Sequence, residues 1–280
     1  MSKIDFHVHI TPPDLSAQWR SFAEKEPYFS LLSNSPRNKF ASAPEIIAAL
    51  DAAGFDRAVV FGFAFSDPGL CRHVNDYVIE SVRQYPRRLI GFAVAPPGDP
   101  GFENEIQRCC AAGLRGVGEL FPEGQGFDIA DAKQTGCLAS VCAELKLPVL
   151  IHANEPVGHE YAGKTKTGLR ALEQFIAHNA DLKIVLAHWG GGLMFYEAMP
   201  EMRKLCRNVY YDTAASPLLY DPEIFRAAAA LGLTEKILFG SDFPLLPHAR
   251  YADSIAKSGI GPAEQELILG GNAGRLLDQQ

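Results

Sequence analysis

Short, almost uninterrupted apolar runs recur along this chain, each followed by a stretch in which apolar residues return every three or four positions. The runs are Lys3–His9, Arg57–Phe63, Leu89–Ala95, Leu114–Leu120, Pro148–Ala153, Lys183–His188, Val209–Thr213 and Ile237–Asp242. Most lack strict alternation, which predicts parallel strands covered on both faces. Amphipathic helices are predicted over Asp67–Gln84, Phe102–Ala112, Asp128–Lys146, Thr167–Asn179, Phe195–Cys206, Pro222–Leu231 and Ala263–Leu277. Another begins at Ser42-Ala-Pro-Glu45, a capping box with proline in the first turn, and stops at Gly54. Eight strands alternating with helices over 280 residues predict an α/β fold, a (β/α)8 TIM barrel forming one domain over 1–280. An open doubly wound sheet shares the same alternation. One connection breaks the rhythm: residues 10–41 separate the first strand from its helix and include Trp19, Phe22, Tyr28 and Phe29. They read as an insertion near the barrel mouth, with Asp14–Lys25 helical, or equally as a surface hairpin that only packs.

Composition narrows the partners. The formal net charge is −7, and no segment gathers Lys and Arg into a stripe. That argues against a nucleic-acid or anionic-membrane surface while leaving room for a small, possibly anionic, substrate. The six cysteines, at 71, 109, 110, 137, 142 and 206, show no framework spacing. They read as reduced thiols of a cytoplasmic protein. The first residues carry no apolar signal region, and no run is long enough to span a bilayer.

The chemistry collects at strand ends. The first strand closes with Asp5-Phe-His7-Val-His9, where side chains two apart share a face. Ile151-His152, Ala187-His188 and Gly240-Ser-Asp242 each end another predicted strand. In an α/β barrel those ends open onto the active site. Any one of these histidines could be a satisfied structural residue, but five such groups on one rim point to a metal centre. Imidazole and carboxylate suit Zn2+ best, with Mn2+ or Fe2+ as alternatives. Asp242 could ligate the ion and carry a proton, and His188 could ligate or polarise the substrate.

Here the sequence resembles a known family. His7-Val-His9, His152, His188 and Asp242 in this strand order are similar to the amidohydrolase superfamily. The motifs Phe6-His-Val-His9, Tyr85-Pro-Arg-Arg with Gly91-Phe-Ala, Ala187-His-Trp-Gly-Gly191, Gly240-Ser-Asp-Phe-Pro244 and Gly271-Asn-Ala-Gly-Arg-Leu-Leu277 resemble its amidohydrolase-related branch. That branch includes aminocarboxymuconate semialdehyde decarboxylase and other metal-dependent hydrolases. The resemblance implies that His7, His9, His152 and Asp242 ligate one divalent cation. His188 would then be the catalytic histidine or a ligand to a second ion. Glu119 ends the fourth strand, where binuclear members place a bridging group, so it reads as a bridging ligand or as a hydrogen-bond partner of a ligand histidine.

Beyond the metal set, the loop after the fifth strand offers His159, Tyr161 and Lys164 as substrate-binding candidates, each of which could equally be solvated loop surface. Arg250 is a further carboxylate-binding candidate, and Trp189 could wall the pocket or pack beneath a loop. The leading expectation is hydrolysis of a small ester, lactone or amide by metal-activated water. The alternative is non-oxidative decarboxylation of an aromatic or unsaturated carboxylic acid. A barrel that only binds a ligand is the third reading, and retention of every expected metal position speaks against it. By analogy with the family, the chain could form a homodimer.

Overall fold

A computed structural model describes residues 2–35 and 39–278. The eight strands are β1 Ile4–His9, β2 Arg57–Phe61, β3 Leu89–Gly91, β4 Val117–Leu120, β5 Val149–Ile151, β6 Ile184–Leu186, β7 Val209–Asp212 and β8 Ile237–Leu238. Each pairs in parallel with its sequence neighbour, β1 through β3 in one ladder and β4 through β8 in another. Backbone hydrogen bonds join the two ladders into a ring. Ala93 N–H donates to Gly116 O at 2.9 Å and Gly118 N–H to Ala93 O at 2.8 Å, closing the β3–β4 seam. Phe6 N–H donates to Phe239 O at 2.7 Å and His9 N–H to Phe243 O at 2.8 Å, closing the β8–β1 seam.

Strand side chains sort into two buried layers. Ile4, Phe6, Val59, Phe61, Ile90, Leu150, Val185 and Leu238 fill the inside of the ring. Val8, Ala58, Val60, Val117, Leu120, Val149, Ile151, Ile184 and Leu186 face outward against the helices. Burial on both faces is what parallel strands with helical crossovers require, and it explains the unbroken apolar runs.

Two strands depart from regular pairing. Register slips between Asp5 and Val8 in β1, and between Val117 and Leu120 in β4. These irregularities lie where His7 and Glu119 turn toward the rim, as bulges beside active sites do.

Several predicted boundaries change. Residues 14–25 form two short helices, Pro13–Ala17 and Trp19–Ala23, broken at Gln18. There Ser16 and Ser21 hydroxyls donate to local carbonyls and compete with the helical ladder. A third helix, Pro27–Ser33, follows. Leu15, Ala23 and Phe29 from this insertion are buried beside the inner layer. The carboxylate of Glu26 accepts from Ser66 N–H at 3.0 Å and Asp67 N–H at 2.8 Å, fastening the insertion to the loop after β2.

The helix expected over Phe195–Cys206 is cut back to Pro200–Leu205 by a 3-10 segment, His188–Ala198. The last predicted helix splits around a wide turn at Leu267–Gly271. A side chain at Gly270 would meet the carbonyl of Ser2 at 1.9 Å. Helix Ala249–Lys257 had no counterpart among the predicted elements. All six cysteines are free thiols. Among the described residues, no helix is long and apolar enough to cross a membrane.

Candidate metal centre

Four strand ends and β4 deliver six polar side chains to one place. His7 and His9 approach with their Nε2 atoms 3.3 Å apart. Nε2 of His7 lies 3.5 Å from Glu119 Oε2 and 3.7 Å from Asp242 Oδ1. Nε2 of His9 lies 3.6 Å and 3.3 Å from the same two oxygens. Donors set about 2.1 Å from a tetrahedral cation are about 3.4 Å apart, so the two imidazole nitrogens stand at coordination-shell distance from each other and from each of the two carboxylate oxygens. Glu119 faces two ways, because its Oε1 is 3.0 Å from His152 Nδ1 and 3.5 Å from His188 Nε2. His152 therefore joins the group through Glu119, while its Nε2–H donates to Gly163 O at 2.8 Å.

The electrostatics ask for positive charge. Burial penalises imidazolium, yet the carboxylates of Asp212 and Glu119 lift His7 well above the ordinary histidine range. Burial likewise opposes charge on His188, and Glu119 with Asp242 overrides it and pushes the group up to about 9. The carboxyl groups shift the other way despite burial. His7, His152 and His188 hold Glu119 well below its usual range, and His9 with His7 brings Asp242 down to about 2. A divalent cation supplies the charge for which protons otherwise stand in, so the donor set fits such an ion.

Local backbone geometry explains why these residues sit as they do. Gly118 precedes Glu119 at φ 129°, and a Cβ there would lie 2.2 Å from Leu150 O. His188, Trp189, Gly190, Gly191 and Gly192 all adopt positive φ. This left-handed turn is tolerable because three of the five are glycine. It swings His188 inward, where His188 Nδ1–H donates to Ala214 O at 3.0 Å and leaves Nε2 facing the donors. Asp242 also has a left-handed backbone, at φ 58°. Non-glycine residues at such angles gather where surrounding structure over-determines them.

Asp212, which the sequence reading passed over, is fully buried and accepts from His7 Nδ1–H at 2.8 Å. Its other oxygen accepts from the backbone of His188 and Ala214 at 3.0 and 2.9 Å. One carboxylate thus fixes the tautomer of His7 and the start of the His188 turn. The strand-end rule that singled out the histidines applies equally to Val209-Tyr-Tyr-Asp212, so the signal was present.

His9, Glu119, His152, His188 and Asp242 border a cavity of about 240 Å3. Its walls are apolar, formed by Phe29, Phe40, Phe63, Phe121, Leu218 and Leu245. Of the loop candidates, His159 and Tyr161 reach this cavity. The Tyr161 hydroxyl is already engaged, donating to Glu155 Oε2 at 2.9 Å.

The other three substrate-binding candidates lie elsewhere. Lys164 turns back on its own loop and donates to Val157 O at 2.9 Å and His159 O at 3.2 Å. Arg250 is exposed on the helix after β8. Trp189 is buried in the outer layer, donating Nε1–H to the Ser216 hydroxyl, because the left-handed turn points it away from the cavity. Lys39, which no periodicity marked, is the one Lys or Arg among the described residues lining the cavity.

The family model described as Amidohydrolase matches residues 4–279. The chain belongs to the amidohydrolase family. It is 25% identical over 252 residues to gamma-resorcylate decarboxylase of Polaromonas sp. (strain JS666 / ATCC BAA-500), covering 74% of this chain and 75% of that one. Solved structures of other proteins share the fold. The 5-carboxyvanillate decarboxylase of Sphingomonas paucimobilis superposes with a TM-score of 0.81 at 18% identity, over 99% of each chain. A dihydroxybenzoic acid decarboxylase from Polaromonas sp. JS666, with bound manganese and 2-nitroresorcinol, gives 0.75 at 19% identity over 99% of this chain and 97% of that one. A probable 2-pyrone-4,6-dicarboxylic acid hydrolase from Acinetobacter baumannii gives 0.66 at 18% identity over 99% of this chain and all of that one (100%).

Proposed function

We propose that this amidohydrolase-family chain is a metal-dependent carboxy-lyase that removes carbon dioxide, without oxidation, from a small hydroxylated aromatic carboxylic acid. The observation that carries this reading is a set of His, Glu and Asp donors spaced to hold a cation and bordering a cavity walled by four phenylalanines. Dry apolar space of about 150 Å3 already accepts a benzene ring, so about 240 Å3 suits one substituted ring. The named decarboxylases among the relatives support this over the hydrolysis expected from sequence.

A divalent cation held by His7, His9, Glu119 and Asp242 would supply positive charge to bind the substrate's anionic oxygens. Phe29, Phe40, Phe63 and Phe121 hold the ring and exclude water. His188, aimed by its bond to Ala214 O, donates from Nε2 to a substrate oxygen. Asp242, ionised at rest, takes the proton that the substrate's hydroxyl gives up and hands it to the ring carbon that bears the carboxylate. The carbon–carboxylate bond then breaks, its electron pair restores the aromatic ring, and carbon dioxide leaves. Asp242 is left ionised as it began, and water reprotonates the phenolate product. Two imidazoles and two carboxylates accommodate Mn2+ or Zn2+, and the manganese-bearing relative favours Mn2+.

A second reading, hydrolysis, rests on Glu119, whose two oxygens face two donor sets and could bridge a pair of cations. The test is metal quantification on protein reconstituted with Mn2+ or Zn2+, followed by a screen of hydroxybenzoates against lactones and esters. One cation per chain with carbon dioxide release is the expected result. Two cations per chain and ester or lactone cleavage without carbon dioxide would transfer the assignment to hydrolysis. Asp242→Asn abolishes turnover if Asp242 carries the proton, and unchanged turnover would remove it from that role.

A further inference from the structure

We propose that Asp5 and His248, which the reaction leaves untouched, are a positioning pair that fixes Asp242 and the β1 imidazoles for cation binding; this rests on the metal-dependent reading of the site. Asp5 is fully buried behind the donor cluster. Its Oδ1 accepts from the backbone N–H of His7 at 3.2 Å and of Ser241 at 2.9 Å. Its Oδ2 accepts from the Ser241 hydroxyl and from His248 Nε2–H, the latter at 2.8 Å. One carboxylate, itself in β1, therefore grips the backbone of His7 and the β8 turn one residue before Asp242.

The turn needs such a grip. Asp242 stands at φ 58°, a conformation that a non-glycine residue keeps only when its neighbours are held. They are held on both sides. Tyr251 OH donates to Ser241 O at 2.7 Å, and Phe243 N–H donates to Ser241 Oγ at 3.0 Å. Asp242 N–H donates to His7 O at 2.9 Å, so the two ligand-bearing segments also touch directly. This is the β8–β1 seam, where β8 itself spans only Ile237–Leu238 and backbone pairing is sparse. Side chains must supply the register that a longer ladder would provide.

His248 is built into place as firmly as Asp5. Its ring stacks near Phe239 and Phe243, with centroids 6.5 and 5.6 Å away, and lies 5.2 Å from Phe55. A phenylalanine would satisfy that aromatic slot equally well. What only a nitrogen donor adds is the bond to Asp5, and a buried carboxylate needs its donors.

The experiment separates positioning from packing by reading cation affinity apart from stability. Chelator-stripped wild type, His248→Phe, His248→Gln and Ser241→Ala are titrated with Mn2+ against an indicator chelator and melted without metal. His248→Phe keeps the aromatic packing and is expected to weaken Mn2+ binding about 10- to 100-fold, the usual effect of losing such an outer partner. His248→Gln, which can restore a donor to Asp5, is expected to recover most of it. Mn2+ affinity within twofold of wild type in His248→Phe would overturn the proposal, whatever the melting temperature. Should His248→Phe fail to fold, Ser241→Ala reads the same grip on the Asp242 turn, and unchanged affinity there overturns it too. The titration needs no turnover. A wild type that binds Mn2+ but decarboxylates nothing would overturn the carboxy-lyase reading and leave the pair's role standing.

Discussion

Replacing Gly118 by alanine tests how Glu119 is brought to the cation site. The new Cβ would stand 2.2 Å from Leu150 O and 2.8 Å from Leu150 Cβ, on a backbone at φ 129°. Both obstacles belong to the neighbouring strand, so neither can swing aside like the end of a flexible side chain. The left-handed conformation costs an alanine about 1–2 kcal/mol. Forcing extra volume into a packed core costs about 1–3 kcal/mol more. At about 2.1 cal/mol/K of unfolding entropy per residue, a 280-residue chain loses about 1.7 °C of Tm per kcal/mol. Gly118→Ala should therefore melt about 3–8 °C below wild type. Gly113 is the control, because it too has positive φ, 104°, but a Cβ there meets nothing within 4 Å. Gly113→Ala should fall only about 2–3 °C, the backbone cost alone. Calorimetry of the metal-free proteins measures both, and metal analysis after reconstitution shows whether Glu119 still binds. A Gly118→Ala protein that melts with Gly113→Ala and keeps its full metal complement would refute the argument that Gly118 places this carboxylate.

Two further outcomes follow from the charges in and around the cavity. In the metal-free protein His188 is raised from 6.5 to about 9, so its stabilising proton is fully present below pH 6.5 and lost as pH climbs toward 9. His7 shifts in the same direction, so the Tm of chelated protein should fall across that window and recover with saturating Mn2+. A flat or rising Tm without metal would show that these imidazoles do not hold the charge described. Lys39, the one Lys or Arg among the described lining residues, should recognise a second anionic substituent on the ring. Lys39→Ala should raise KM about tenfold for a dicarboxylated ring with kcat unchanged, and leave a monocarboxylate unaffected. Equal effects on both substrates would remove Lys39 from specificity.

What could be read from sequence is what strand geometry dictates without help from the rest of the fold. A residue at the end of a parallel strand in a barrel faces the same rim whatever surrounds it. His152, His188 and Asp242 were therefore legible from their place after an apolar run, and Asp212, which ends β7 in the same way, carries the same signal. Loop side chains have no such constraint. Lys164 curls onto its own carbonyls, and the direction of Trp189 is set by a left-handed turn that no apolar period encodes. The two strands that matter most also defy simple alternation. Phe6 and His7 are adjacent and should face opposite ways, yet Phe6 packs inside the ring while His7 points to the site at its rim. Val117 and Leu120 both face outward, so the two residues between them, Gly118 and Glu119, share the inward side. In each case the register slip lies where an inward-facing ligand is required. A bulge of this kind is fixed by pairing with neighbouring strands and by a glycine that can pass under Leu150 O, and those are tertiary facts. The same irregularities that hid the exact geometry from the sequence are what allow a closed, apolar-filled barrel to bring six polar side chains together at one end.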